Sequence, residues 1–111
     1  MTTMKKNQKT TYAIARSWAA AKCASTRGNI NCSVNVAHDA DAFIDLETDN
    51  LPVLSIMIHA ADGNGSRAVC ADYGTGKLMM DVASCDAGEI HYALDRVTAP
   101  WFAGDDAPLA A

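Results

Sequence analysis

Several kinds of segment are missing from this chain of 111 residues, and each absence narrows what the protein can be. No apolar run approaches the roughly 20 residues that span a bilayer. No apolar signal segment follows the polar and basic residues 1–10. We therefore expect a cytoplasmic protein with no membrane partner, in the host cytoplasm if a phage encodes it. The four cysteines form no C-x-x-C pair, which in a reducing compartment favours free thiols.

Catalytic motifs are also absent. There is no G-x-S-x-G sequence, and the two glycine-rich stretches at 63–65 and 74–76 lack the lysine and the following helix of a phosphate-binding loop. The three histidines do not show the paired spacing that is typical of zinc sites. We therefore predict a protein without enzymatic activity, cofactor or metal. The alternative is a small metal- or ligand-binding domain or enzyme, whose candidate residues are His38, Asp39, His59 and Asp62.

Acidic residues are missing from the first quarter of the chain. Residues 1–29 contain six lysines or arginines and no acid, whereas residues 30–111 contain all 13 acids and three basic residues. Such asymmetry suggests charged partners, and a second alternative is a nucleic-acid-binding regulator that uses the basic N-terminal helix. However, Lys9, Arg16 and Lys22 do not form one stripe on a helix, and the acidic remainder would repel a polyanion. Direct binding of nucleic acid is therefore not predicted.

The N-terminal segment predicts a helix. An i, i+4, i+7 spacing of apolar residues and many alanines favour a helix from Tyr12 to about Ser25. Thr10 or Thr11 would cap it, because the preceding lysines suit the positive end of a helix poorly. Residues 1–9 are accordingly interpreted as a flexible basic leader.

A second helix is predicted near the C-terminus. Asp86 precedes Glu89 by three residues, which is the spacing of a capping box, and an apolar i, i+3, i+4, i+7 stripe then begins at Ile90. Pro100 should end this helix. The single domain is expected to span residues 10–103, with residues 104–111 as a flexible tail.

Five strands with short connections lie between the helices, at residues 30–36, 39–49, 53–60, 67–73 and 77–83. Short connections predict an antiparallel meander, and we expect an α+β fold with both helices packed on one face of the sheet. Residues 53–60 are apolar on both faces, which is typical of a central strand that is covered on both sides. Either Trp101 with Phe102 or a second copy of the chain would cover the other face, so a homodimer is one expectation.

The stretch from residue 39 to residue 49 carries the functional hypothesis. Five of its six odd-numbered positions are acidic, and its even positions are apolar or Thr. Strand periodicity would place the acids on one exposed face, although a helix over residues 39–47 is the rival interpretation. We predict a small non-enzymatic binding or inhibitor protein, in the manner of phage or mobile-element anti-CRISPR or antirestriction proteins. Its acidic face would block the basic nucleic-acid-binding surface of a host protein. The predicted partner-binding residues are Asp39, Asp41, Asp45, Glu47, Asn31, Ser33 and Asn35.

Overall fold

The computed structural model describes residues 6–25, 30–37, 40–48, 51–74, 76–84 and 86–102. Helix α1 spans Lys6–Ser25 and helix α2 spans Ala87–Phe102. The strands between them are β1 (Asn31–Ala37), β2 (Ala40–Thr48), β3 (Leu51–Ile58), β4 (Arg67–Asp72) and β5 (Leu78–Ala83). All neighbours pair antiparallel in the order β1-β2-β3-β4-β5, which confirms the predicted α+β meander with a helix at each end.

The core lies between one face of the sheet and the two helices. Helix α1 contacts β1 and β2, helix α2 contacts β4 and β5, and the helices touch each other. Alternate strand residues point into this layer because the side chains of a strand change face at every residue. The fully buried strand residues are Ala42, Ile44, Leu46, Leu54, Ile56, Ile58, Val69 and Ala71. Each of the larger aliphatic side chains in this set stabilises the fold by about 1.5–3 kcal/mol.

Helix α1 begins earlier than predicted. It starts at Lys6 rather than Tyr12, so residues 6–9 of the predicted leader are helical, while residues 1–5 lie outside the described part. The prediction of Thr10 or Thr11 as N-cap is wrong, because both residues lie inside the helix. Thr11 is buried, and its hydroxyl accepts a hydrogen bond from Arg67 Nη1 at 2.7 Å.

Helix α2 continues past the residue that was predicted to end it. Glu89 N donates to Asp86 Oδ2 at 3.1 Å, as the capping spacing indicates, but the helix runs through Pro100 to Phe102. Pro100 lacks the N–H that would bond one turn back. Packing maintains the last turn instead: Trp101 is buried, and Phe102 stacks edge-on against Trp101 at 5.2 Å between ring centroids. The predicted tail, 104–111, lies outside the described residues.

The second face of the sheet, which we call the open face, points away from both helices. Along one row across the sheet it carries Ser33, Asp45, Ser55, Asp72 and Leu78, which are register partners in successive strands. No described residue outside the strands packs over this face; Trp101 and Phe102 lie on the helix side, so the prediction that they cover it is wrong. Neither α1 nor α2, as described, is long and apolar enough to cross a membrane.

Candidate partner-binding face

Three carboxylates form an acidic patch on the open face: Asp45 and Glu47 on β2 and Asp72 on β4. The segment from Ala40 to Thr48 is a strand, so the rival helical interpretation of this stretch is wrong. Residues two apart on a strand are about 6.6 Å apart, and strands two apart in a sheet are about 9.6 Å apart. The patch is therefore a two-dimensional cluster across three strands, and Asp72 is a member that the sequence interpretation missed.

The acidic patch is partly pre-organised by its neighbours. Ser55, which is paired between Asp45 and Asp72 in the ladder, donates its hydroxyl to Asp45 Oδ1 at 2.8 Å. Glu47 and Asp72 are exposed, and Asp45 is half-buried. A fixed carboxylate loses less side-chain entropy when a partner binds than a freely rotating one does.

Polar side chains of β1 flank this patch. Asn31 is the register partner of Glu47, and Ser33 is the register partner of Asp45. Together with Asn35 they are exposed on the open face, which is where the alternation of the sequence placed them. Their role in partner binding remains a prediction.

Asp41 does not belong to this face, and its predicted role as a partner-binding residue is wrong. Its residue surface is only 4% exposed, and Oδ2 lies 3.2 Å from Arg67 Nη1. Arg67 is itself buried, and a buried guanidinium without a counter-charge is costly. Asp41 therefore neutralises Arg67 inside the protein instead of meeting a partner. Asp39, the first acid of the predicted row, lies outside the described residues.

Two described basic side chains, Lys22 and Arg96, are paired with acids on the helix side of the sheet. No open-face position described in strands β1–β5 is occupied by Lys or Arg. Lys22 binds Asp95 on α2 at 2.9 Å, and Arg96 lies 3.6 Å from Asp81 on the helix side of β5. The described strand positions of the open face therefore carry acids and no base, whereas on the helix side each of these bases is paired with an acid.

A second feature of the open face was not foreseen from the sequence. Leu78, Met80 and Val82 on β5 are 63%, 66% and 66% exposed, and we call them the apolar strip. They continue inward through the half-buried Cys70 and Met57 on β4 and β3. The open face therefore has an acidic region around β2 and an apolar region along β5. Contiguous exposed apolar surface of this kind marks interaction sites.

The alternative metal or ligand site is not assembled by the described residues. His38 and Asp39 lie outside them. Asp62 Oδ1 accepts hydrogen bonds from the N–H groups of Asn64 and Ser66, so this carboxylate stabilises the hairpin loop after β3. Within the described ranges, no group of three or more His, Cys, Asp or Glu residues could hold a metal ion.

The alternative hypothesis of nucleic-acid binding uses the basic side chains of α1, and some of these side chains already make contacts within the protein. Lys22 is paired with Asp95, and hydrogen bonds from Lys22 and Trp18 to that carboxylate overcome its burial and lower the pKa of Asp95. Arg16 lies over the ring of Tyr12 at 5.8 Å. The side chain of Lys9, the third residue of this hypothesis, is not among those described.

A hollow of about 330 Å³ lies between α1 and β1. Arg16, Tyr12 and Cys32 contribute its polar lining.

Burial, and then the neighbouring thiol of Cys32, raise the pKa of Cys23 to about 11, so the thiol of Cys23 stays protonated at neutral pH. Burial also raises the pKa of Cys70 on the open face. Since the thiolate is the nucleophile, these environments do not activate Cys23 or Cys70.

Comparison with known protein families, with curated proteins and with solved structures gave no match for this chain.

Proposed function

We propose that this chain is a non-enzymatic binding protein whose acidic patch occupies a basic surface of a partner protein. One observation carries the proposal: the patch of Asp45, Glu47 and Asp72 lies on an open sheet face whose described strand positions include no basic residue. Asp41 is paired inside the protein, whereas Glu47 and Asp72 are exposed. Asp72 Oδ1 accepts the N–H of Gly74 at 2.9 Å, which orients this carboxylate at the surface.

Charge complementarity would act mainly on the encounter rate and on specificity. A patch of one sign raises the rate at which an oppositely charged surface is met, and this effect weakens as salt increases. Asp45, which Ser55 already orients, would add a contact of fixed geometry. The exposed Asn31 and Ser33 beside it would contribute hydrogen bonds at the rim.

The narrower proposal is an inhibitor that mimics nucleic acid, such as an anti-CRISPR or antirestriction protein. A nucleic-acid-binding groove is lined with Lys and Arg that neutralise phosphates, and several carboxylates on a rigid sheet would compete for them. Because Asp41 is internal, the described acids form a cluster instead of a long line along β2. A partner with a compact basic pocket or patch therefore suits the protein better than an extended groove does.

The test compares two variants of equal net charge. The first neutralises the patch with Asp45→Asn, Glu47→Gln and Asp72→Asn. The second raises the net charge by the same three units at exposed helix positions, with Ala13→Lys, Ala24→Lys and Ala99→Lys. Proteins captured from cell lysate by the wild type and by each variant would be quantified at low and high salt.

We expect the patch variant to lose the salt-sensitive partners and the helix variant to retain them. Equal loss in both variants would mean that net charge alone governs binding. Unchanged capture by the patch variant, with its folding confirmed by circular dichroism, would overturn the proposal.

A further inference from the structure

We propose that β5 pairs antiparallel with β5 of a second copy of this chain, about a two-fold axis at Met80, and so joins two sheets into one. This inference concerns the apolar strip and does not depend on the function proposed for the acidic patch. A second copy is the expected partner because the outer edge of β5 is complementary to itself in backbone, side chains and charge.

The backbone of β5 is poised for pairing. β5 is the last strand in the sheet order, so among the described residues no strand lies on its outer side. Tyr73 N donates to Lys77 O at 3.0 Å, which makes these residues a hydrogen-bonded pair at the start of the β4–β5 ladder. Hydrogen-bonded pairs alternate along antiparallel strands. The backbone groups of Leu78, Met80 and Val82 therefore point away from β4, toward the outer edge.

The same three residues carry the exposed side chains of the apolar strip. In a symmetric pairing with Met80 opposite Met80 of the second copy, Leu78 of each copy faces Val82 of the other. The N–H and C=O groups of Leu78, Met80 and Val82 in each copy then form backbone hydrogen bonds with the residue opposite in the other copy. The two strips also merge into one apolar row on the open face, where cross-strand apolar pairs each contribute about 0.2–1 kcal/mol.

Other symmetric registers fit less well. Moving the axis to residue 81 would place the Asp81 residues of the two copies opposite each other, and like charges directly opposite are destabilising. Moving the axis to residue 79 would place Val82 opposite Gly76, which lies outside β5 and has a backbone φ of 89°. The register centred on Met80 alone uses the whole strip.

The charges of the two copies do not oppose this contact, although each chain has a formal net charge of −4. None of the three strip residues is charged, and Asp81 points to the helix side, 3.6 Å from Arg96. In the joined sheet the two β2 strands would be about 34 Å apart at roughly 4.8 Å per strand, and the two β4 strands, which carry Asp72, about 14 Å apart. Both distances exceed a Debye length of about 8 Å. The two acidic patches would therefore repel each other little.

The small area of this contact indicates a dimer of moderate affinity. Stable interfaces bury about 800 Å² per partner, and pairing over a strand of roughly 20 Å falls short of that on its own. Tyr92 on α2 is 62% exposed and lies one turn before Arg96, which reaches to β5, so these side chains extend the contact on the helix side. Asp81 Oδ1 also accepts the N–H of Val82 at 2.8 Å, and pairing must displace this bond. Dimerisation should therefore depend on concentration.

The experiment is sedimentation velocity of the full chain between about 1 and 200 μM, the range in which a modest interface of this kind dissociates. The wild type should shift from monomer to dimer as concentration rises. Leu78→Lys and Val82→Glu, each placing a charge opposite an apolar side chain, should weaken dimerisation at least about tenfold. The double variant with both changes should recover it, because the introduced lysine of each copy would then face the introduced glutamate of the other.

Ser33→Lys serves as the matched control, since it adds the same charge at an exposed open-face position of the opposite edge strand. It should leave dimerisation unchanged. A wild type that stays monomeric over the whole range, or single variants that dimerise like the wild type, would overturn the proposal. A double variant no better than the singles would overturn the register centred on Met80. Circular dichroism of each variant would check that the fold is intact.

Discussion

Replacing Asp41 by Asn should destabilise this protein more than any change in the acidic patch. The side chains of Asp41 and Arg67 are 6% and 3% exposed, and Asn would leave the guanidinium buried without a counter-charge. Breaking a buried pair by removing one partner costs about 3–5 kcal/mol. A domain of this length has a total stability of about 5–15 kcal/mol, so the loss is a large fraction of it.

Urea unfolding followed by tryptophan fluorescence would measure this loss, because Trp18 and Trp101 are both buried and report on the core. With a slope of about 1–3 kcal/mol per M, the midpoint should fall by about 1–5 M. The matched control is Asp45→Asn, the same chemical change on the open face, which should change stability by less than about 1 kcal/mol. Equal midpoints for the two variants would refute the assignment of Asp41 to the interior and return it to the candidate surface.

Two further predictions concern the packing of α2. Asp95→Asn should lower the stability at neutral pH, because hydrogen bonds from Lys22 and Trp18 hold the pKa of Asp95 below its ordinary value in the folded state. This difference is present above the unfolded pKa of about 3.9 and is lost as the pH falls through the folded pKa, so urea titrations should show a smaller difference at pH 3 than at pH 7. An equal difference at both values would contradict it. Tyr73→Phe should cost about 1–3 kcal/mol, because the buried Tyr73 hydroxyl donates to Val97 O at 2.6 Å and the carbonyl would lose this partner. A thermal melt of the variant that matches the wild type would contradict this reasoning.

Local sequence patterns predicted most of the fold. The alternation in β1 correctly placed Asn31 and Ser33 outward, and the i, i+3, i+4, i+7 stripe of α2 correctly identified Ile90 and Val97 as buried. These assignments succeeded because the spacing of apolar residues depends only on the helix or strand itself and on which of its faces is buried. The same patterns predicted the end of α2 wrongly, because packing of Trp101 outweighs the hydrogen bond that Pro100 removes.

The candidate site was harder to predict because its composition depends on distant residues. Asp41 has the same parity as Asp45, and only Arg67, 26 residues later in the chain, turns it into the core. In β5 the alternation alone would favour burying Leu78 and Met80, yet the ion pair between Asp81 and α2 accompanies the opposite orientation. Shifting a strand by one residue exchanges its two faces, so the side chains that β5 displays depend on its register in the whole sheet, which the local alternation does not report.

Carboxylate footprinting of the protein with and without a captured partner tests the central claim most directly. Glu47 and Asp72 are exposed in the free protein and should react with a carbodiimide reagent, as should Asp62 and Glu89 away from the patch. Partner binding should suppress the modification of Glu47 and Asp72 and leave that of Asp62 and Glu89 unchanged. Continued modification of Glu47 and Asp72 at full occupancy of the partner would contradict the assignment of the open face as the binding surface.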